Sequence, residues 1–525
     1  MKPRMLGLVV GVLLVANAQA QAQTQTTATA PTAEQIDANV RAVIARYQLP
    51  GIAVGVIENG KVVYARGYGE TVYTSGDPIT HQTLFKIASN SKAMTAALLA
   101  RLVQQGKLRW DDPVVRYVPE FAMHDAWVTA HMTINDLLIH NSGLPEGGGD
   151  LMLWPEPNQF SRDDIVRGLR YIKPAYGFRA GYAYDNLLYV VAGKVAEAVG
   201  GAAYETLLQR EVLQPLGLRG CKVGAFALAE AGSVAQPHGR DGNKIVLTRP
   251  DAAQVPTIAS APAGGIRCTL DDMLIWVNNF LQPTAEQLQW LGPAQRTELW
   301  KPRTPMPISK QRRDWDNTHF YAYAYGFRLA DVDGAWTVSH TGTLGGMYSM
   351  MMLLPDRNSG FVFMINGEAG NARTVLGEVL LKLFTAPEKS LGVDGYADAL
   401  TKPATSASHS PALPTIAQRS AVQPAQMQAW LGVWRDPWFG DVRICAVDGG
   451  VEWRSLKSPK MHGRISRLDG RDLLIWGDEA VDENAWLQFS GSGDKRRLQM
   501  AKFDPKGDFS SDYEDLDFKH IGDCK

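Results

Sequence analysis

The chain has 525 residues, more than one ordinary domain needs, and its 45% hydrophobic and 20% charged residues are typical of a globular protein. Lysine and arginine number 53 against 54 aspartates and glutamates, so the formal net charge is −1. This balance excludes the basic field of a nucleic-acid-binding protein and argues against a protein that coats anionic membranes. With 50 glycines, 29 prolines and 4 cysteines, the collagen-like, disordered and disulfide-framework classes are excluded too.

The first 20 residues predict a secretory signal peptide. Lys2 and Arg4 form a short positive region, residues 6–15 are an apolar run, and small residues after it fit a cleavage site near Ala20. The apolar run is shorter than the roughly 20 residues that a membrane-spanning helix requires, so stable membrane insertion is not expected. The mature protein is therefore expected in the periplasm or outside the cell.

A helix and a hairpin are predicted at the start of the folded chain. Residues 21–33 form a polar tract of Gln, Ala and Thr that predicts disorder. Apolar residues then recur on one face of a predicted helix, at Ile36, Val40, Val43, Ile44 and Tyr47. Residues 51–68 hold two β-rich runs separated by Asn59-Gly60, which is a strong hairpin signal.

Three more strands are predicted at 336–340, 347–354 and 361–366, followed by a helix at about 371–384. A long stretch of helical patterns separates the two groups of strands. The expected fold class is therefore α+β, an antiparallel sheet flanked by helices with an inserted helical subdomain, over residues 34–386.

The composition changes after this unit. Residues 387–424 are rich in Pro, Ser, Ala and Thr, which predicts a linker. Residues 425–525 contain short aromatic strands and frequent Gly-rich turns, and a small all-β barrel or sandwich is the interpretation. Six of the 14 tryptophans lie between Trp430 and Trp486, and a packed aromatic core is favoured over a ligand cavity.

The four cysteines fall into two regions, with Cys221 and Cys268 in one and Cys445 and Cys524 in the other. Export would permit disulfides, and pairing within each region is the simplest of the three connectivities. Four buried free thiols are an equally good interpretation. No cysteine has the C-x-x-C spacing of a redox or zinc site, and the ten histidines have no metal-ligand spacing, so no metal site is expected.

Ser89-x-x-Lys92 is the strongest chemical feature of the sequence. A helix predicted from Ser89 to about Gln105 is apolar on nearly every face and should be buried. Ser89 is expected in its first turn, with Lys92 on the same face. Burial and the positive end of the helix dipole disfavour the ammonium form, so this lysine could accept the serine proton.

Two other sequence patterns bear on which serine is the nucleophile. Ser492-x-x-Lys495 has the same spacing but lies in a Gly-rich turn with no helix behind it, which favours an exposed hairpin turn. The sequence contains no G-x-S-x-G, and this argues against the nucleophile elbow of an α/β-hydrolase.

Ser89-x-x-Lys92 and the segment LVQQGKLRWDDPVVRYVPEF after it resemble the serine β-lactamase and penicillin-binding-protein-like superfamily. Tyr184-Asp185-Asn186 is similar to the Tyr-x-Asn motif, and His340-Thr341-Gly342 stands at the Lys-Thr-Gly position. The resemblance covers residues 34–385 and is closest to the class C-like branch, which also contains D-aminopeptidases and esterases. The C-terminal region resembles the lipocalin-like domains appended to some of these hydrolases.

The resemblance implies a role for each motif residue. Ser89 would be acylated with Lys92 as general base, and Tyr184 would relay protons. Asn186 would bind the substrate amide, and the backbone N–H groups of Ser89 and Thr343 would form the oxyanion hole. The segment His340-Thr341-Gly342-Thr343 would line the substrate site, and no cofactor is expected.

His340 departs from the β-lactamase pattern, which has a lysine cation at this position. A histidine is mostly neutral near pH 7 and would hold a substrate carboxylate less strongly. Asp185, inside the tyrosine motif, would favour a cationic group nearby. We therefore expect a peptidase of the D-aminopeptidase kind or an esterase, acting on a small molecule or short peptide. A class C-like β-lactamase and a non-hydrolytic penicillin- or peptidoglycan-binding protein are the alternatives. For the C-terminal domain, the open roles are a cap over the site and self-association.

Overall fold

A computed structural model describes residues 30–401 and 413–524. The predicted signal peptide and most of the polar tract lie outside the described residues. The α-helices are Ala33–Tyr47, Ser91–Gln104, Ala126–His131, Arg162–Gly168, Leu187–Gly200, Tyr204–Leu208, Ala261–Gly264, Leu270–Leu281, Ala285–Trp290, Pro293–Leu299, Lys310–Asp316, Gly370–Thr385 and Gly392–Thr401.

The principal sheet has eight strands and is antiparallel throughout. Both ends of the predicted catalytic unit contribute to it, because the first hairpin pairs with a strand some 300 residues later. Its strand order is Lys61–Gly69, Gly51–Glu58, Ser359–Ile365, Met347–Leu354, Ala335–Leu344, Arg328–Val332, Tyr321–Tyr323 and Thr304–Pro305. The predicted α+β class is confirmed, with the helical insertion between the two strand groups.

Apolar side chains cover both faces of this sheet. On one face pack the helices Ala33–Tyr47, Gly370–Thr385 and Gly392–Thr401. On the other face, Leu270–Leu281 packs against Gly51–Glu58 and Ser359–Ile365. The predicted hairpin is present, with Asn59 and Gly60 both at positive φ in a turn that matches the strand twist.

Residues 387–401, the first part of the predicted linker, are ordered. Gly392–Thr401 is a helix, and its Val393, Tyr396 and Ala397 are buried against the core beneath the sheet. Most of the prolines and serines of this region follow the helix. Residues 402–412 lie outside the part of the chain that the structure describes. The ordered catalytic unit therefore extends past 386, because an amphipathic face follows the helix Gly370–Thr385.

The C-terminal region is a closed barrel of eight antiparallel strands, as the all-β prediction expects. Its strands are Gly432–Asp436, Gly440–Val447, Gly450–Ser455, His462–Leu468, Arg471–Trp476, Ala485–Ser490, Arg497–Lys502 and Asp517–Gly522. The first strand pairs with the last, which leaves no open edge. Trp434, Trp453 and Phe518 are buried inside it.

Disulfides join Cys221 to Cys268 and Cys445 to Cys524. The structure therefore has the pairing within each region, the simplest of the three connectivities, and none of the four cysteines is a free thiol. One disulfide links Cys221 to the strand Arg267–Cys268 within the insertion, and the other ties the end of the chain to the barrel strand Gly440–Val447.

Shorter elements complete the molecule. Three small ribbons pair Phe85–Lys86 with Arg267–Cys268, Phe226–Ala227 with Gln254–Val255, and His238–Asp241 with Lys244–Leu247, and Ser420–Ala421 pairs with the barrel strand His462–Leu468. Single turns of 3₁₀ helix occur at Ala88–Asn90, Val114–Arg116, Asp136–Leu138, Asp150–Met152, Leu169–Tyr171, Leu228–Glu230, Pro355–Arg357, Pro387–Lys389, Ile416–Gln418 and Gly493–Lys495, with a longer one at Pro424–Trp430. Gln209–Leu213 forms one π-helical turn.

Candidate active site

Ser89 lies in the 3₁₀ turn Ala88–Asn90, one turn before the helix that starts at Ser91. The prediction that this helix begins at Ser89 is therefore wrong by two residues. Ala88 has a φ of 48°, in the left-handed region, and this residue reorients the chain between the strand Phe85–Lys86 and the helix. A non-glycine residue in that region stores strain, which is commonly found beside reactive groups.

Lys92 is completely buried and its amine reaches Ser89, as predicted. Its Nζ lies 3.2 Å from Ser89 Oγ, 2.7 Å from Asn186 Oδ1 and 2.8 Å from the carbonyl oxygen of Ala263. Two of these partners can only accept hydrogen bonds. A neutral amine would donate to those two and present its lone pair to the serine hydroxyl, which is the arrangement that a general base needs.

Tyr184 packs beside this pair. Only 7% of its surface is exposed, and Lys92 Nζ lies 4.8 Å from the centroid of its ring. The ring is also 4.3 Å from that of His140. Ser89 and Lys92 from one segment and Tyr184 from another, all predicted as catalytic, are thus brought together in the structure.

Asn186 is held between two groups, only one of which was predicted. Its Oδ1 accepts from Lys92, and its Nδ2 donates to Asp150 Oδ2 over 2.7 Å. Asp150 is completely buried, and burial raises the pKa of its carboxyl to about 8. No sequence motif pointed to Asp150, which lies in a Gly-rich loop after the segment TINDLLIHNSGLP.

The third motif lies on the strand Ala335–Leu344. The neighbouring strand begins at Arg328, opposite Ser339, so residues 340–344 have no strand partner on that side. Thr341 and Thr343 line the cavity. At Gly342 a Cβ atom would lie 2.3 Å from the Ile87 carbonyl oxygen, so only glycine lets this strand approach the nucleophile's chain so closely.

His340 was predicted to contact the substrate, and the structure contradicts this. The side chain is 0% exposed and lies behind the cavity wall. Its Nε2 is 2.8 Å from the hydroxyl of Tyr323, and its Nδ1 is 2.7 Å from the Thr341 carbonyl oxygen. Burial, with Arg328 and Lys92 nearby, holds the pKa of His340 well below its usual value, so the ring is neutral.

Two arginines that the sequence did not single out flank the same motif. Arg328 Nη1 donates to Thr341 Oγ1 over 2.9 Å, and its guanidinium lies 5.8 Å from the centroid of the Tyr184 ring. Arg373 Nη1 donates to the Gly342 carbonyl oxygen over 2.7 Å and to Thr343 Oγ1 over 2.6 Å. Both guanidinium groups line the cavity, and neither has an ion-pair partner within 30–401 and 413–524.

Asp185 does not face the substrate site, so the expectation of a cationic group beside it there is wrong. The carboxylate is completely buried and accepts from Ser142 Oγ over 3.2 Å. Its other neighbour is His140 Nδ1 at 3.8 Å. Burial lowers the pKa of His140 to about 4. Asp185 therefore helps to hold the tyrosine motif in place through its contact with Ser142.

The site opens into a cavity of about 870 Å³ that is shared by the catalytic unit and the barrel. Ser89, Tyr184 and Asn186 line it from one side, and Phe509 and Ser510 line it from the barrel. These barrel residues belong to the loop 503–516, between the strands Arg497–Lys502 and Asp517–Gly522. The second S-x-x-K, Ser492 to Lys495, is an exposed turn, as predicted.

The described residues also bear on metal binding and membrane insertion. In the described part of the chain, no group of three or more His, Cys, Asp or Glu side chains is arranged to hold a metal ion. Among the same residues no single helix is long and apolar enough to cross a membrane. The segments Leu187–Gly200 and Tyr204–Leu213, taken together, have the length and apolar composition of a membrane span, but a bend of 76° separates them.

The fold and the site together define the class of protein. The family model described as Beta-lactamase matches residues 36–384, and the chain therefore belongs to the β-lactamase family of serine hydrolases. A solved structure, the octameric penicillin-binding protein homologue from Pyrococcus abyssi, covers 93% of this chain and 99% of its own, with a TM-score of 0.58. At 18% identity this similarity concerns the fold alone.

Curated relatives differ in their named activities. An unguisins hydrolase of Aspergillus campestris is 26% identical over 67% of this chain and 65% of its own length, so the chain spans just under two thirds of that protein. A β-lactamase of Escherichia coli is 26% identical over 65% of this chain and 90% of its own. Esterase EstB of Burkholderia gladioli is 31% identical over 43% of this chain and 59% of its own.

Proposed function

We propose that the protein is an exported serine hydrolase that forms an acyl-enzyme on Ser89 and acts on short peptides or esters. The observation that carries the proposal is the position of Lys92 Nζ, 3.2 Å from Ser89 Oγ, with its other contacts made to two oxygen acceptors. Such an amine can take the serine proton as the hydroxyl attacks a carbonyl carbon.

In the first half of the reaction Ser89 Oγ bonds to the substrate carbonyl carbon and its proton passes to Lys92. The backbone N–H groups of Ser89 and Thr343 stabilise the oxyanion, and Tyr184 passes the proton from Lys92 to the leaving group as the old bond breaks. In the second half a water molecule attacks the acyl carbon and gives its proton to the same basic groups. These groups return the proton to Ser89 Oγ as the acyl bond breaks, and the carboxylic acid product leaves.

Peptidase or esterase activity ranks first because a neutral His340 stands where the β-lactamase motif has a lysine cation. A β-lactamase is the second candidate, and Arg328 and Arg373 favour it because they supply cations beside Thr341 and Thr343. The named activities of the relatives, a hydrolase, an esterase and β-lactamases, support the same range.

Export is part of the proposal. Two disulfides support it, since structural disulfides persist mainly in oxidising compartments. The amino-terminal segment with the composition of a signal peptide points the same way. Fractionation of expressing bacterial cells tests this directly, because retention of the uncleaved chain in the cytoplasm would contradict it.

A substrate panel tests the activity. The purified protein, Ser89→Ala and the control Ser492→Ala are compared on nitrophenyl esters, D- and L-amino-acid anilides and a chromogenic cephalosporin. We expect ester or anilide turnover that Ser89→Ala abolishes and Ser492→Ala retains. Equal turnover by the protein and Ser89→Ala would contradict the proposal. Turnover of the cephalosporin alone would reverse the ranking, and stable labelling by a fluorescent penicillin without turnover would indicate a binding protein.

A further inference from the structure

An unbroken chain of hydrogen bonds connects the nucleophile to the C-terminal barrel. Lys92 Nζ contacts Ser89 Oγ and donates to Asn186 Oδ1, and Asn186 Nδ2 donates to Asp150 Oδ2. Ser510, in the barrel loop 503–516, donates its hydroxyl proton to the same Asp150 oxygen over 2.8 Å. The last member of this chain thus comes from a separate domain, 421 residues after the nucleophile.

The barrel loop is fixed at this point by further contacts. The N–H of Gly149, the residue before Asp150, donates to Asp512 Oδ2. The ring of Phe509 lies 6.0 Å from that of Tyr184. A Cβ atom on Gly147 would lie 2.6 Å from the Phe509 carbonyl oxygen, so the two domains are in direct backbone contact here.

We propose that Ser510 and Asp150 are positioning residues, through which the barrel sets the orientation of Asn186 against Lys92. This inference rests on the proposed acyl-enzyme function. The side-chain amide of an asparagine can adopt two orientations, and only one presents its oxygen to the lysine. Asp150 Oδ2 selects that orientation by accepting from Nδ2, and Ser510 holds the carboxyl in place.

The flipped amide would direct N–H groups at the amine of Lys92. The amine would then lose an acceptor, and its lone pair would be drawn towards Asn186 and away from Ser89. Loss of the Ser510 hydroxyl should therefore slow acylation without changing how substrate fits the cavity. The expected signature is a lower kcat at an unchanged KM, because Ser510 acts through other residues.

Full-length Ser510→Ala, Ser510→Thr, Asp150→Asn and Asp150→Ala are compared with the control Ser492→Ala, which removes an exposed barrel hydroxyl. The readouts are kcat and KM for a nitrophenyl ester at pH 7. We expect a kcat about fivefold lower for Ser510→Ala, recovery in Ser510→Thr, and a loss of about 100-fold for Asp150→Ala. Asp150→Asn should keep most of the activity, because its side-chain oxygen can still accept from Asn186 Nδ2.

Two results would overturn the inference: kcat for Ser510→Ala equal to that of Ser492→Ala, or Asp150→Ala with full activity. Thermal unfolding of each variant separates a folding defect from a positioning effect, since Asp150→Asn and Ser510→Thr keep size and polarity. The proposed function fails separately, because only that failure leaves Ser89→Ala active. An inactive Ser89→Ala beside an unaffected Ser510→Ala would reject the positioning role alone.

Discussion

At the third motif, positive charge comes from residues beside the motif and not from the motif itself. His340 is buried and neutral, bonded to the Tyr323 hydroxyl and the Thr341 carbonyl oxygen. Arg328 and Arg373 donate to the hydroxyls of Thr341 and Thr343 and face the cavity. The site therefore has positive charge although His340 occupies the position of the motif lysine.

Replacing Arg328 by glutamine tests this arrangement at the scale of one residue. The matched substrates are the phenyl and the 3-carboxyphenyl ester of acetic acid, which differ only in a carboxylate. We expect kcat/KM for the carboxylated ester to fall at least about tenfold, which is typical for loss of a charge-assisted hydrogen bond, with little change for the phenyl ester. Equal losses on both esters would mean that Arg328 supports the site and does not bind carboxylates.

Among the elements, those with a regular apolar pattern were predicted closely. The strand Met347–Leu354 has the predicted bounds, and Gly370–Thr385 extends the predicted helix by one residue at each end. The nucleophile helix starts later than predicted because Ala88 takes a left-handed φ, which no alanine signals in a sequence. The sequence prediction placed the helix Gly392–Thr401 in a linker because the Pro- and Ser-rich residues that follow it dominate the composition of residues 387–424.

Tyr396 provides a test of that helix. It is 1% exposed, and its ring lies 4.8 Å from the ring of Trp315. Tyr396→Ala should lower the free energy of unfolding by about 3 kcal/mol or more, as large-to-small substitutions of buried aromatic residues do. Urea unfolding followed by circular dichroism measures the change, with exposed Asp394→Ala as control. A loss below about 0.5 kcal/mol, as for a surface site, would mean that the segment is not packed.

At the scale of the whole molecule, the barrel forms one wall of the active-site cavity. Arg249 pairs with Asp482, Lys457 Nζ lies 3.2 Å from Asp164 Oδ1, and the barrel loop contacts Tyr184 through Phe509. The sequence predicted the barrel and a capping role was one of the open interpretations. The contacts themselves could not be predicted, because Asp150 and Ser510 are 360 residues apart and each is an ordinary loop residue in isolation.

Phe509→Ala should widen the cavity at this wall. Phe509 is 39% exposed and borders the space beside Tyr184, so its removal makes room for a larger acyl group. We expect the ratio of kcat/KM for nitrophenyl butyrate to that for the acetate to rise about fivefold, because added methylenes gain contact only where space exists. The control is Leu456→Ala, an equally exposed barrel residue outside the cavity. An unchanged ratio would reject a capping role for the barrel loop.

The three motifs were found from the sequence because each combines rare residue types at a fixed spacing. Asp150, Arg328 and Ser510 were not found, because their significance depends on distances between segments that only the folded chain brings together. The same limit explains His340 and Asp185, whose positions in the motifs were recognised while the directions of their side chains were not.

The central claim is that Ser89 carries the acyl group. The most direct measurement is rapid acid quenching of the protein during turnover of a nitrophenyl ester, followed by mass spectrometry of its peptides. The account predicts the mass of one acyl group on the peptide that contains Ser89, and no such adduct in Ser89→Ala. Turnover without an adduct at Ser89, or an adduct on another residue that persists in Ser89→Ala, would contradict it.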